Sequence, residues 1–257
     1  MRVVEKEMTV KTADGEMPTF AVHPDGAGPY PVAVLYMDGV GYREQIKTNA
    51  RRFADAGFFV VAPDLFYRGG KGVRVDMDKI RAEGMDSPAG QELMKIIRSV
   101  TPDRAMADTR AIFEAIGSAR AAASGPKVCV GYCMGARLAL HALSAMPDDF
   151  VAAAAIHPGA LFTDQPESPH HDLAGVRGEL YVAFAEIDRT ATRESVDQFR
   201  AEMERLGVQG SVERIAGATH GFSMADLAMY DRDAAEAHFQ KTIELWRRNL
   251  QPERVTA

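Results

Sequence analysis

A cysteine framed by glycines, Gly131-Tyr132-Cys133-Met134-Gly135, joins a short apolar run at 127–133 to a helix-forming stretch at 136–146. Strand, tight turn and helix are the setting of a nucleophile elbow, here with cysteine where most elbows carry serine. The two glycines have a mechanical role. A nucleophile on so tight a turn needs neighbours without Cβ, so that strand and helix approach closely while its own side chain points out. Because the turn opens a helix, free backbone N–H groups and the positive end of the helix dipole face the sulfur. Both favour the thiolate, which is the reactive form. A middle cysteine in Gly-x-x-x-Gly also arises by chance, and free cysteine is often just a small buried hydrophobe. A nucleophile at Cys133 therefore requires an acid and a base further along the chain.

Both are present. Asp188 comes directly after the apolar run 180–187, and His220 lies in Ala218-Thr219-His220-Gly221-Phe222, after the last predicted strand. His220 would take the thiol proton and return it to a leaving group, while Asp188 would hold the imidazole tautomer and stabilise the imidazolium. Taken singly, Asp188 reads equally as a turn starter and His220 as a surface histidine. Their conjunction with Cys133, each at a strand end and in the order nucleophile, acid, base, is the arrangement of α/β-hydrolases. The backbone N–H of Met134 is the natural first oxyanion donor and that of Met37 the second. His157, before Pro158, is the second candidate base. A class I glutaminase would place its base in His-x-Glu, and a papain-like protease ends its site on Asn; neither pattern is present. Cys129 points into the strand core rather than serving as a redox partner.

The elements that must position these groups follow from periodicity. Residues 3–11 and 16–23 read as a hairpin turning at Asp14-Gly15. The continuous apolar runs 31–38 and 58–64 read as strands buried on both faces. Ile46, Ala50, Phe53 and Ala54 fall on one helical face between them. Residues 65–101 are the least regular, a glycine-punctuated set of short helical patterns. Helices are predicted at 102–123, 136–146, 195–206 and 230–250, with strands at 127–133, 151–156, 179–185 and 212–216. Alternating strand and helix after the hairpin predicts a mostly parallel sheet with helices on both faces. Ligands then bind at the carboxyl ends of the strands.

Composition narrows the function classes. At 257 residues, 46% of them hydrophobic, the chain suits one α/β domain spanning 1–257. A net charge of −6 without a basic cluster argues against nucleic acid as a partner. No apolar run approaches the roughly 20 residues that span a bilayer, so no membrane partner is expected. The first seven residues lack the apolar core of a signal peptide, and the two cysteines are four apart on one strand and turn. A soluble, cytoplasmic protein is expected, as monomer or homodimer. His170-His171-Asp172 on a proline-flanked loop lacks a second ligand set, so no metal site is assigned.

Gly-Tyr-Cys-Met-Gly, Ala-Pro-Asp-Leu-Phe-Tyr-Arg at 62–68, Asp188, Thr-His-Gly-Phe at 219–222 and Tyr230-Asp-x-x-Ala-Ala-x-Ala together resemble the dienelactone hydrolase family over nearly the whole chain. The resemblance implies a compact α/β-hydrolase fold with a mostly parallel central sheet, an N-terminal antiparallel hairpin and no large cap. It also implies a Cys-Asp-His triad, no cofactor, and cleavage of a small-molecule ester or enol-lactone through an acyl-thiol intermediate. Two departures bear on the substrate. Dienelactone-cleaving members resemble one another in a Glu after the first central strand, where this chain has Tyr36 with Asp38 as the nearest acid. They also carry an Arg four residues beyond the catalytic His, where this chain has Met224, and that change removes a bidentate carboxylate clamp. Arg68, Arg74 and Arg81 are the arginines available to replace it. Residues expected to line the pocket are Tyr36, Asp38, Tyr67, Arg68, His157, Phe222 and Met224. Related readings are a hydrolase of thioesters or activated phosphoesters, and a non-catalytic binding protein of the same fold.

Overall fold

The computed structural model of the chain describes residues 2–70, 73, 75 and 77–250. Arg74 lies outside these residues, as does the Arg81 side chain. Strands β1 (Val3–Thr12) and β2 (Gly15–Pro24) form the N-terminal hairpin, whose register closes at Thr12 opposite Gly15 across a two-residue turn. Gly15 sits at φ +137°, a conformation that L side chains resist. The remaining strands are β3 (Val32–Tyr36), β4 (Phe59–Pro63), β5 (Lys127–Tyr132), β6 (Phe150–Ile156), β7 (Glu179–Ile187) and β8 (Gly210–Thr219). All eight form one sheet in the order β1-β2-β4-β3-β5-β6-β7-β8. β2 pairs antiparallel with both β1 and β4, and every other pair is parallel. This is the mixed sheet with an antiparallel hairpin that the sequence predicts.

Seven α-helices accompany the strands among the described residues: α1 (Glu44–Asp55), α2 (Met77–Glu83), α3 (Pro88–Ser99), α4 (Pro102–Ile116), α5 (Met134–Ala145), α6 (Arg193–Arg205) and, after β8, α7 (Arg232–Leu250). β5 shows that they cover both faces. The Cys129 thiol donates to the Ala139 carbonyl of α5 at 3.7 Å, whereas the Tyr132 ring meets His238 of α7 edge-on, centroids 5.6 Å apart. Residues three apart on a strand point to opposite faces, so α5 and α7 lie on opposite sides of the sheet. α1 joins α7 through Phe53, whose ring lies 4.7 Å from that of Trp246. Trp246 in turn donates its indole N–H to the Cys129 carbonyl at 3.3 Å, tying the C-terminal helix to the strand that carries the elbow. No described helix is long and apolar enough to cross a membrane.

α4 is shorter than the expected 102–123. It stops at Ile116, and the next residues turn so that Ala122 bridges to Tyr30. The chain leaves the helix at Gly117-Ser118, a weak helix-forming pair. The strand order also locates the functional end of the sheet. From β3 the chain passes to β4 on one side and afterwards to β5 on the other, so a crevice opens between the carboxyl ends of β3 and β5.

Candidate active site

Cys133 directly follows β5 at that crevice, and as the N-cap of α5 it is held at φ +51°, ψ −108°. A non-glycine residue at positive φ stores about 1–3 kcal/mol of strain, kept only where its surroundings impose it. The surroundings do so here. The Cys133 N–H donates to the Ile156 carbonyl at 3.0 Å and its own carbonyl accepts from Ala136 at 3.1 Å. A Cβ on Gly131 would run into the Gly135 carbonyl, and one on Gly135 would run into the Tyr36 and Met37 carbonyls. Both glycines are therefore fixed by close backbone approach. The same approach brings the end of β3 against the first turn of α5, so Met37 and Met134 are neighbours across the crevice. As the first helical residue, Met134 has no intrahelical acceptor for its N–H.

His220 follows β8, and Asp188 follows β7. Their side chains meet, His220 Nδ1 lying 2.5 Å from Asp188 Oδ2. Asp188 Oδ1 accepts from the Thr190 N–H at 2.8 Å and from its hydroxyl at 2.7 Å. Burial opposes ionisation of Asp188, but its hydrogen bonds to His220 and Thr190 and the charge of His220 hold it below the ordinary carboxylate range. Burial likewise works against a charged His220. The charge of the Cys133 sulfur, together with hydrogen bonds to Asp188 and Cys133, overcomes it and raises His220 from 6.5 to about 10. The proton on the imidazole is thus held by the two groups that flank the ring, the Cys133 sulfur and the Asp188 carboxylate. Replacing Cys133 by alanine removes the strongest of the raising interactions, so the His220 ring should titrate at lower pH in Cys133→Ala than in the wild type. NMR titration of the ring protons measures this, and an unchanged midpoint would exclude a charged sulfur beside the ring.

His157, the other candidate base, is fully buried just past β6 at φ +39°. Its ring packs edge-on against His220, centroids 5.3 Å apart, and its Nε2 lies 2.8 Å from the Ser223 hydroxyl. Burial and the neighbouring His220 push it well below 6.5, so it is neutral. With no carboxylate partner and no exposure, His157 backs the His220 ring rather than meeting a substrate.

The other expected pocket residues also belong to the interior. Tyr36 is fully buried; its hydroxyl donates to Thr109 at 2.9 Å, because the Thr109 hydroxyl is committed to the Ala105 carbonyl. Phe222 and Met224 are fully buried, Phe222 against His157 and Met224 with its sulfur 3.7 Å from the Asn49 amide. Tyr67 donates to Asp108 at 2.9 Å. Arg68 grips the same carboxylate through two bonds of 2.8 Å and reaches Asp14 at 2.7 Å. Both residues fasten the hairpin to α4 instead of facing a ligand.

Asp38 alone of that set stands at the crevice, 3% exposed, and it is paired. Arg43 holds both Asp38 oxygens at 2.7 and 3.0 Å and both Asp226 oxygens at 2.6 and 3.1 Å. Despite burial, which opposes its charge, these carboxylates raise Arg43 further above its already high value. One side chain thus joins the loop after β3 to the loop after His220. Sequence reasoning did not find this clamp; its only local signal is an arginine five residues after Asp38.

The sequence model of the dienelactone hydrolase family matches residues 17–250. A Synechocystis protein provisionally named carboxymethylenebutenolidase is 23% identical over 250 residues, covering 95% of this chain and 96% of its own. Among solved structures, a provisionally assigned dienelactone hydrolase from Klebsiella pneumoniae superposes with a TM-score of 0.83 at 19% identity, over 96% of this chain and 99% of that one. A dienelactone hydrolase-like promiscuous phosphotriesterase, P91, from metagenomic libraries gives 0.72 at 20% identity, over 97% and 99%. At such identities the structural likeness establishes the fold, that of an α/β-hydrolase.

Proposed function

Because this chain belongs to the dienelactone hydrolase family, we propose that it is a cysteine hydrolase cleaving small carboxylic esters or enol-lactones through an acyl-cysteine intermediate. In this reading the Cys133 sulfur adds to the carbonyl carbon, and the oxygen becomes an oxyanion facing the Met134 and Met37 N–H groups. Collapse breaks the carbon–oxygen bond, and His220 gives its proton to the departing alkoxide or enolate. Water then attacks the thioester while His220 takes up a proton. The carbon–sulfur bond breaks, releasing the acid and restoring Cys133. Asp188 holds the ring so that Nδ1 stays protonated and Nε2 does the transfer.

The observation that supports this reading most is the combination of Cys133 at positive φ on a glycine-framed elbow with the 2.5 Å His220–Asp188 contact. The test is direct trapping. Wild-type protein mixed with p-nitrophenyl acetate and quenched in acid should carry an acetyl group on Cys133 by peptide mass spectrometry, and His220→Ala should not accumulate it at a comparable rate. Acetylation elsewhere, or turnover that survives loss of the thiol, would sink the acyl-cysteine mechanism. A non-catalytic binding protein would give neither adduct nor p-nitrophenol.

A further inference from the structure

Among the described residues, three that are not glycine hold a positive φ: Cys133 at +51°, His157 at +39° and Ala160 at +49°. The last two bound a short loop leaving β6, and His157 stands before Pro158, where backbone choice is already narrow. Such conformations persist only where the surroundings impose them, and they gather at functional sites. The His157 N–H donates to the Ala183 carbonyl of β7 at 2.7 Å, and the Ala160 N–H to the Thr190 carbonyl at 2.9 Å. Thr190 is the residue whose N–H and hydroxyl both bond Asp188. A Cβ on Gly159 would run into that hydroxyl and would also come within 3.9 Å of His220 Cε1. The loop thus lies against the support of the acid and the ring of the base at once.

His157 makes the contact with the base. Besides its edge-on approach to His220, its ring is boxed by Phe222, centroids 5.3 Å apart, and by Tyr132, 5.9 Å apart. Its Nε2 bond to Ser223 is its one polar fastening, since its Nδ1 has no hydrogen-bond partner among the described residues. Ser223 is itself buried and lies three residues past His220, so this bond joins the loop after β6 to the loop that carries the base. Burial and the charges of His220, His238 and Arg43 keep His157 uncharged, so it acts on its neighbour by shape. The His220 side chain is 31% exposed. An imidazole so open, fastened firmly at Nδ1, is free to swing its other nitrogen away from the sulfur unless something backs it. The His157 ring closes that side.

We propose that the loop after β6 positions the acid–base pair, and that His157, tied to Ser223, is the positioning residue that keeps the His220 imidazole turned toward Cys133. The inference rests on the hydrolase reading above and adds to it a fully buried residue that takes no part in bond making. Proton transfer depends steeply on alignment, and a displacement of about 1 Å costs roughly 10²-fold in rate. What the site requires at 157 is a ring of this size in this place, not an imidazole. The Ser223 bond sets where the ring sits.

Two variants divide ring from hydrogen bond. His157→Gln offers Ser223 an amide in place of Nε2 and removes the ring; kcat for p-nitrophenyl acetate should fall about 10-fold or more, with KM within about 3-fold. His157→Phe with Ser223→Ala keeps a ring and removes both polar partners together, which leaves neither unsatisfied. Its kcat should recover to within about 3-fold of the wild type. A His157→Gln protein as fast as the wild type would show the ring to be dispensable, and a His157→Phe/Ser223→Ala protein as slow as His157→Gln would show that a ring nitrogen counts; each overturns the proposal. Cys129 is fully buried, so its protection from iodoacetamide reports folding. If His157→Gln exposes it, His157→Leu with Ser223→Ala, apolar and ringless, takes its place with the same expected loss. A wild type that releases no p-nitrophenol defeats the hydrolase reading. Alkylation of Cys133 by iodoacetamide at neutral pH, located by peptide mass spectrometry, then still decides the positioning. It should be about 5-fold slower in His157→Gln and restored in His157→Phe/Ser223→Ala, because a displaced imidazole no longer takes up the thiol proton; an equal or faster rate in His157→Gln overturns it.

Discussion

Cys133→Ala is expected to lower kcat/KM for p-nitrophenyl acetate by about 10⁴-fold or more, and His220→Ala by a similar factor. The two should not multiply in the double variant. A thiol without its base and a base without its thiol each forfeit the same covalent step, so the residual rate reflects the oxyanion donors and binding alone. Asp188→Asn should cost roughly 10³–10⁴-fold, because an amide facing Nδ1 favours the wrong imidazole tautomer. All three substitutions should leave the fold intact. Alanine at 133 meets the same φ of +51° as cysteine, so the elbow's strain is unchanged. Steady-state kinetics with circular dichroism of each variant reads both predictions, and a folded Cys133→Ala that retains a tenth of the wild-type rate would remove Cys133 from the mechanism.

Arg68→Ala should have the largest effect on stability. Asp108 is 1% exposed at its side chain and its charge is offset by Arg68, with Tyr67 adding one hydrogen bond. Removing the arginine leaves a carboxylate buried without its counter-ion, which costs about 3–5 kcal/mol, a large fraction of a domain's net stability. Replacing the pair together, Arg68→Met with Asp108→Leu, should recover most of that loss, since apolar side chains of similar volume need no compensation. Urea denaturation measures both. The same variants separate a fastener from a substrate clamp: kcat and KM for mono-p-nitrophenyl glutarate, an ester ending in a carboxylate, should be unaffected by Arg68→Met/Asp108→Leu at temperatures where it is folded. Destabilisation by Arg68→Ala of less than about 1 kcal/mol would show that the pair is solvated after all.

The three residues proposed to do the chemistry were legible in the sequence because that chemistry imposes a position. A nucleophile, acid and base that must converge at one sheet edge each come just after a strand, and Cys133, Asp188 and His220 do so in order. The pocket was far less legible. Tyr67 and Arg68 also follow a strand end, yet their partner Asp108 is some 40 residues away on α4, and nothing local shows that they turn toward it. Tyr36 and Met224 stand where the family resemblance leads to an expectation of charged groups, and sequence position alone does not reveal that both point into packing. Asp38, rather than Tyr36, occupies the crevice because β3 ends at Tyr36. Arg43 escaped notice because its second carboxylate, Asp226, is 183 residues distant. α4 was overextended because its apolar period runs on past Gly117, where the backbone leaves the helix.

Arg43 has a consequence for motion. Its fork grips Asp38 and Asp226 at once, so the loop after β3 and the loop after His220 are not independent springs. Displacing either one must break charge-assisted bonds that also restrain the other, which places their opening free energies in one shared well. A displacement of the loop after β3 therefore bears on the loop that follows His220 as well.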